Sequence, residues 1–195
     1  MPNSNVLKIA RVLNILVIVA LVCNLILLFF VPVAVWSDSP GLLAGVGDYF
    51  HGILYPGEDD IAAAGIAASF LAWFWIASLP PDKIILTLFL LFSGVCTAVI
   101  LWQGRRVLAT IRRGTPFSME NAVSLRRAAI ASFLISGAAL VRAVFSVCYY
   151  HSPAPLLSYN ALFVPIFAMA GLLCLVMSAL FRQAAEMKAE NDLTI

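Results

Sequence analysis

Charge is what this sequence has least of: 11% of its 195 residues are Asp, Glu, Lys or Arg, against roughly 25% in soluble domains. Together with a hydrophobic content of 63%, that scarcity excludes an ordinary water-soluble fold and predicts an all-α integral membrane protein. The formal net charge is +2, which gives no reason to expect direct contact with nucleic acid. Catalytic signatures are also missing. No HExxH, no GxSxG and no phosphate-cradling glycine loop occurs, so no catalytic residue is assigned and the chain is read as a non-enzyme. The only histidines are His51 and His151. With Asp48, Glu58, Asp59 and Asp60 they match no metal-ligand spacing and are read as solvated loop residues. Cys23, Cys96, Cys148 and Cys174 fall in separate apolar runs without a CxxC pair. They are expected to be small buried hydrophobes rather than a disulfide or metal set, and no cofactor is implied.

What is there is length of apolar run. A spanning helix needs about 20 such residues, and four stretches qualify: 12–36, 84–102, 128–149 and 161–181. The first has too long an apolar core for a cleaved signal peptide and is expected to remain as an anchor. The whole chain, 1–195, is then a single membrane domain, a four-helix transmembrane bundle in the lipid bilayer. Small residues are expected to let its helices approach: Gly94 and Ala98, Ser132 and Ser136, and Ala168 with Gly171 and Leu172 nearby.

A fifth stretch, 61–79, is long enough to span, and the distribution of basic residues decides against it. Lys8 and Arg11 precede the first span, none lies between Arg11 and Lys83, and arginines crowd 105–127. Basic residues favour the cytoplasmic side of short loops. Four spans put 1–11, 103–127 and 182–195 inside and 37–83 outside, whereas a fifth would put the arginines outside. Both termini are therefore expected in the cytoplasm, with 61–79 an outer interfacial or re-entrant helix whose Phe70, Trp73, Phe74 and Ala77 share one face. A topology reporter fused after Pro56 should score external and one fused after Thr110 internal; the reverse pair would overturn this arrangement.

Between the second and third spans, the stretch RRGTPFSMENAVSLRR combines Arg112, Arg113, Arg126 and Arg127 with turn chemistry. Gly114 and Pro116 stop the incoming helix. Ser118 can cap a new one with Glu120 in its first turn and Ala122, Leu125 and Ala129 along one face. The arginines have three readings: topology alone, attraction to anionic lipid at roughly 1 kcal/mol per basic residue, or docking of a cytoplasmic partner. In the tail, Arg182 with Glu186 and Lys188 with Asp192 stand at i,i+4 and can pair. Inside the spans the one ionisable residue is Arg142. It either snorkels to the nearby interface or faces the bundle, bonding a carbonyl or the Asn24 amide or lining a small-ligand cavity.

The GTPFSMENAVSLRR block and the terminal AEMKAENDLTI together resemble the DUF2975 family of bacterial four-span membrane proteins. The residues carrying the resemblance are Gly114, Pro116, Phe117, Asn121, Leu125 and Arg126 in the corner, and Glu190, Asp192, Leu193, Thr194 and Ile195 in the tail. It covers the last three spans, while 37–81 looks longer and more apolar than the family norm. It implies a bacterial plasma-membrane location and no established catalytic residue. The family is similar to a class often encoded beside a small Cro/C1-type helix-turn-helix protein, so a helix-turn-helix transcription regulator is the implied partner. Gly114, Pro116, Phe117, Asn121, Arg126, Arg127, Glu190, Asp192, Leu193 and Ile195 are the candidate partner-binding residues, and Arg142 and Asn24 the candidate intramembrane polar pair. The alternative expectation is a small transporter, channel or export accessory with a cavity near Arg142.

Overall fold

A computed structural model describes residues 4–36, 69–74, 76–115, 117–157 and 159–192. Four long helices dominate it: α1 (Ser4–Trp36), α2 (Pro81–Arg112), α3 (Met119–Tyr150) and α4 (Phe163–Asp192). Each is long and apolar enough to cross a membrane, and no strand occurs among the described residues. The expected all-α four-helix membrane fold is what is found. The helices pack in chain order, α1 on α2, α2 on α3 and α3 on α4. One end of the bundle carries the α2–α3 corner and, because Ser136 meets Val164 and Ser178 meets Ala122, the end of α4; it is called the corner end. The opposite end, with the α3–α4 connection, is the mouth end.

The helices are longer than the spans read from the sequence. At about 1.5 Å per residue, 32 residues in α2 reach well beyond a hydrocarbon core of about 30 Å. The excess lies at the corner end: α2 continues from Trp102 to Arg112, α3 begins at Met119, and α4 runs on through Asn191. Arg105 stacks over the Trp102 ring at 5.5 Å, an arrangement suited to the headgroup boundary, where an indole and a cation both find partners.

Contacts between the spans use small residues, because lipid is as apolar as a leucine side chain and apolar burial alone gives helices little reason to associate. Leu28 of α1 sits against Gly94, where a Cβ would collide with it. Gly171 of α4 receives the Phe133 ring of α3. Two serine hydroxyls join α3 and α4: Ser136 donates to Val164 O at 2.8 Å and Ser178 to Ala122 O at 2.7 Å. Leu172, expected near this contact, is instead exposed. The central helix α3 has the lowest mean hydropathy of the four spans, 1.9. Serines on it trade apolar character for hydrogen bonds to neighbours. At its centre Ile135 is fully buried with Ala131 and Cys96, flanked by Phe163 and Phe167.

Pro32 lies inside α1 and cannot donate to the carbonyl four residues back. The short helical stretch 69–74 covers this site: Trp73 Nε1 donates to Phe29 O at 3.2 Å, Phe70 stacks edge-on to Phe29, and Ala72 joins Phe30, Val33 and Ala34. The stretch turns Ser69 and Ala72 inward and leaves Phe70 and Phe74 exposed. Most of the outer segment, including 61–68, lies outside the described residues, and so do His51 and Asp48. The cysteine expectation needs correction: Cys96 is buried, but Cys23 and Cys148 are exposed. In a spanning helix the exposed face meets lipid, so a thiol there stays in an apolar setting without being packed in the core.

Candidate functional site

At the corner end the chain reverses in the six residues between Arg112 and Met119. Gly114 adopts φ +78°, with Thr115 N donating to Thr110 O and Gly114 N to Ile111 O, each at 3.1 Å. These are the two bonds of a helix end closed by a left-handed residue, a conformation glycine adopts without a Cβ penalty. Ser118 then caps α3, its hydroxyl accepting from Asn121 N at 3.4 Å. Glu120 lies in the first turn and pairs across the corner with Arg106 at 3.5 Å. That pair is exposed and worth little, about 0–1 kcal/mol.

The stronger brace is internal. The Thr110 hydroxyl donates to Asn121 Oδ1 at 2.8 Å and also lies 2.7 Å from Val107 O. A hydroxyl has one hydrogen and two lone pairs. Turning the amide over lets its NH2 donate to Thr110 Oγ1 while the hydroxyl serves Val107 O, which satisfies both contacts. Asn121 is fully buried, so among the candidate partner-binding residues it acts by holding α2 to α3 and offers no surface. Ala122 and Ala129 are buried on the same helix and Leu125 is half-buried, as the sequence periodicity predicts.

Phe117, Arg126, Arg127 and Glu190 are exposed, as is Gly114. Phe117 packs against Phe181 with ring centroids 5.8 Å apart, which ties the corner to α4. Between them runs a groove of about 320 Å³ lined by Phe117, Ser118 and Met119 on one wall and Ala185, Lys188 and Ala189 on the other. A second hollow of about 280 Å³ shares Met119 and adds Arg126 and Arg182. Arg182 pairs with Glu186 at 2.9 Å, as its spacing predicts. The other expected tail pair, Lys188 with Asp192, involves a side chain outside those described. Pro116, Leu193 and Ile195 lie outside the described residues, so of the tail signature the structure places Glu190 and the backbone of Asp192. Apart from Lys83 and Arg142, every lysine and arginine on α2, α3, α4 and the turn between α2 and α3 belongs to the corner end.

The mouth end holds the other candidate. Arg142 is half-buried with its guanidinium over the Phe89 ring of α2 at 5.1 Å. It lines a cavity of about 210 Å³ with Ala139, Ala143, Ser146, Tyr150 and Ala161. Tyr150 donates to Asp82 Oδ2 at 3.1 Å, linking the end of α3 to the start of α2. Asn24 is not a partner of Arg142. Helix α2 packs between the helices that carry them, and among the described residues Asn24 Oδ1 is buried with no hydrogen-bond partner, as is Gln103 Oε1. Neither the Phe89 stacking nor the Thr110–Asn121 brace is foreseen by the sequence analysis. The available signal for the brace was two uncharged polar residues flanking one turn. His151 ends α3 in a left-handed conformation, φ 48°, and is exposed. Among the described residues no group of three or more His, Cys, Asp or Glu side chains could hold a metal ion.

Comparison with known proteins returns one family, whose model is described as a protein of unknown function (DUF2975) and matches residues 58–195. No curated protein and no solved structure matches the chain. The match takes in α2, α3, α4, the corner and the tail, well over half of the sequence, with both blocks that first carried the resemblance. The chain is a multi-pass membrane protein that belongs to the DUF2975 family.

Proposed function

We propose that this protein is a non-enzymatic membrane component that holds or senses a small cytoplasmic helix-turn-helix regulator through its corner and tail. The observation that carries the proposal is the groove between Phe117–Met119 and Ala185–Ala189, in which the corner and the extension of α4 become one surface. The two family-like blocks, far apart in sequence, supply its two sides. Three helical ends stand beyond the span at this end, so a partner can approach without entering the headgroup layer. The proposal places both termini in the cytoplasm of a bacterial cell, supported by the gathering of basic residues at the corner end. Contact with nucleic acid would be indirect, through the regulator.

The test is co-purification from membranes. The intact chain is expected to retain a helix-turn-helix protein encoded beside it, and a chain truncated after Gln183 to lose it while staying monodisperse. Retention by the truncated chain would count against the proposal.

The cavity beside Arg142 supports a second reading, a small transporter, channel or export accessory. Solute movement or current in liposomes that disappears with Arg142→Leu would support it. Wild-type liposomes without flux would remove it.

A further inference from the structure

We infer that the mouth cavity is a binding site for a phosphate-type oxyanion, held by Arg142 and Ser146. The inference is independent of regulator docking at the other end of the bundle. It begins from a charge without a counter-charge. Arg142 is half-buried, one face of its guanidinium rests on Phe89, and it makes no ion pair among the described residues. The described carboxylate at this end, Asp82, takes the Tyr150 hydroxyl hydrogen and forms no ion pair with Arg142. A ring face attracts a cation but accepts none of the five N–H bonds that the guanidinium can give. Removing a cation from water without pairing it is costly, and an anion in the adjacent space offsets that cost.

The space and its walls narrow the chemistry. A cavity of about 210 Å³ has room for a group the size of several waters at about 30 Å³ each. Ser146, one turn beyond Arg142 on α3, also lines it, and its hydroxyl makes no hydrogen bond among the described residues. A fork of parallel N–H groups with a nearby O–H donor suits two or three oxygens on one centre better than a spherical halide. Tyr150, whose hydroxyl hydrogen goes to Asp82, also lines the space, and Ala139, Ala143, Pro155 and Ala161 make the rest of the wall apolar, which also accommodates the carbon neck of an esterified phosphate. The shared chemistry is a phosphate group, supplied either by a phospholipid headgroup or as a free anion.

Thermal unfolding of the full chain in uncharged detergent tests this with four additions: inorganic phosphate, short-chain phosphatidylglycerol, the matching diacylglycerol, and chloride at equal ionic strength. A phosphate-bearing addition is expected to raise Tm and the other two are not. A rise with inorganic phosphate identifies a free anion as sufficient, and a rise with phosphatidylglycerol alone identifies the headgroup. Other arginines also attract phosphate, so the decisive result is the loss of the Arg142-dependent part. Arg142→Gln is expected to weaken the apparent affinity at least tenfold, and Ser146→Ala severalfold. If Arg142→Gln does not fold, Arg142→Lys keeps the charge but loses the planar fork and should weaken binding in the same direction. Equal shifts in wild type and these variants overturn the site, as does an equal response to diacylglycerol or chloride.

Discussion

Asn121→Leu is expected to destabilise the folded protein by about 1–3 kcal/mol, because it removes the buried polar contact that ties the start of α3 to the end of α2. Leucine has as many side-chain heavy atoms as asparagine and bulkier ones, so lost volume is not the cause. Asn121 is fully buried, and its amide has protein for surroundings instead of water. The Thr110 hydroxyl retains Val107 O at 2.7 Å, which keeps the cost of losing its partner below that of an orphaned donor. Thr110→Val removes the other half of the contact and should cost a comparable amount. A double-mutant cycle separates pairing from packing: the two substitutions together should cost less than their sum by about 0.5–3 kcal/mol. Unfolding in detergent measures this. Strict additivity would mean that Thr110 and Asn121 do not act as a pair. A damaged brace should also reach the groove, because Ser118 and Met119, which line it, stand within the same first turn of α3 as Asn121. The Asn121→Leu protein is therefore expected to bind a corner-end partner more weakly even though its side chain touches none.

The contrast between this brace and the span boundaries indicates what the sequence could and could not reveal. Hydropathy locates the four spans because about 20 apolar residues in a row have no other common use. Gly114, Ser118 and the Arg182–Glu186 spacing were legible because each acts within one turn of chain, where backbone rules suffice. Rotation of the helices was not legible. In water an apolar stripe marks the buried face of a helix, but a span is apolar on both its lipid and its protein sides. The pattern around α1 or α4 therefore does not say which side meets a neighbour. Leu172 is expected near the same contact as Gly171, yet it is exposed while Gly171 receives Phe133. The same limit left Arg142 with two readings and allowed Asn24 as its partner, although α2 packs between the helices that carry them. Polar residues at the corner must find partners or water, which restricts their placement more than lipid restricts an apolar face.

Gly171→Leu follows from that limit and is expected to loosen α4 from the bundle at a cost of about 1–3 kcal/mol or more. A Cβ at Gly171 already meets three Phe133 ring atoms at 3.0–3.1 Å, and the rest of a leucine would extend into the ring. In a soluble core, apolar burial would still hold a misfitted helix in place. In lipid a detached α4 keeps its apolar faces solvated by acyl chains, so little opposes separation once close packing is lost. The remaining polar ties are the Ser136–Val164 bond toward the mouth end and the Ser178–Ala122 bond toward the corner end, each requiring the helices to stay close. Gly137 provides the matched comparison, since a Cβ there meets nothing within 4 Å. Gly137→Leu also replaces a poor helix former with a good one and should be neutral or slightly stabilising. The predicted order in detergent unfolding is Gly137→Leu at or above wild type, Gly171→Ala lower, and Gly171→Leu lowest. Equal stability of the Gly171→Leu and Gly137→Leu proteins would remove Phe133 from the α3–α4 contact. If the predicted order holds, the corner-end groove should weaken with it, because one of its walls is the extension of α4. Loss of partner binding in Gly171→Leu, far along α4 from the groove, would show that the groove depends on the docking of α4.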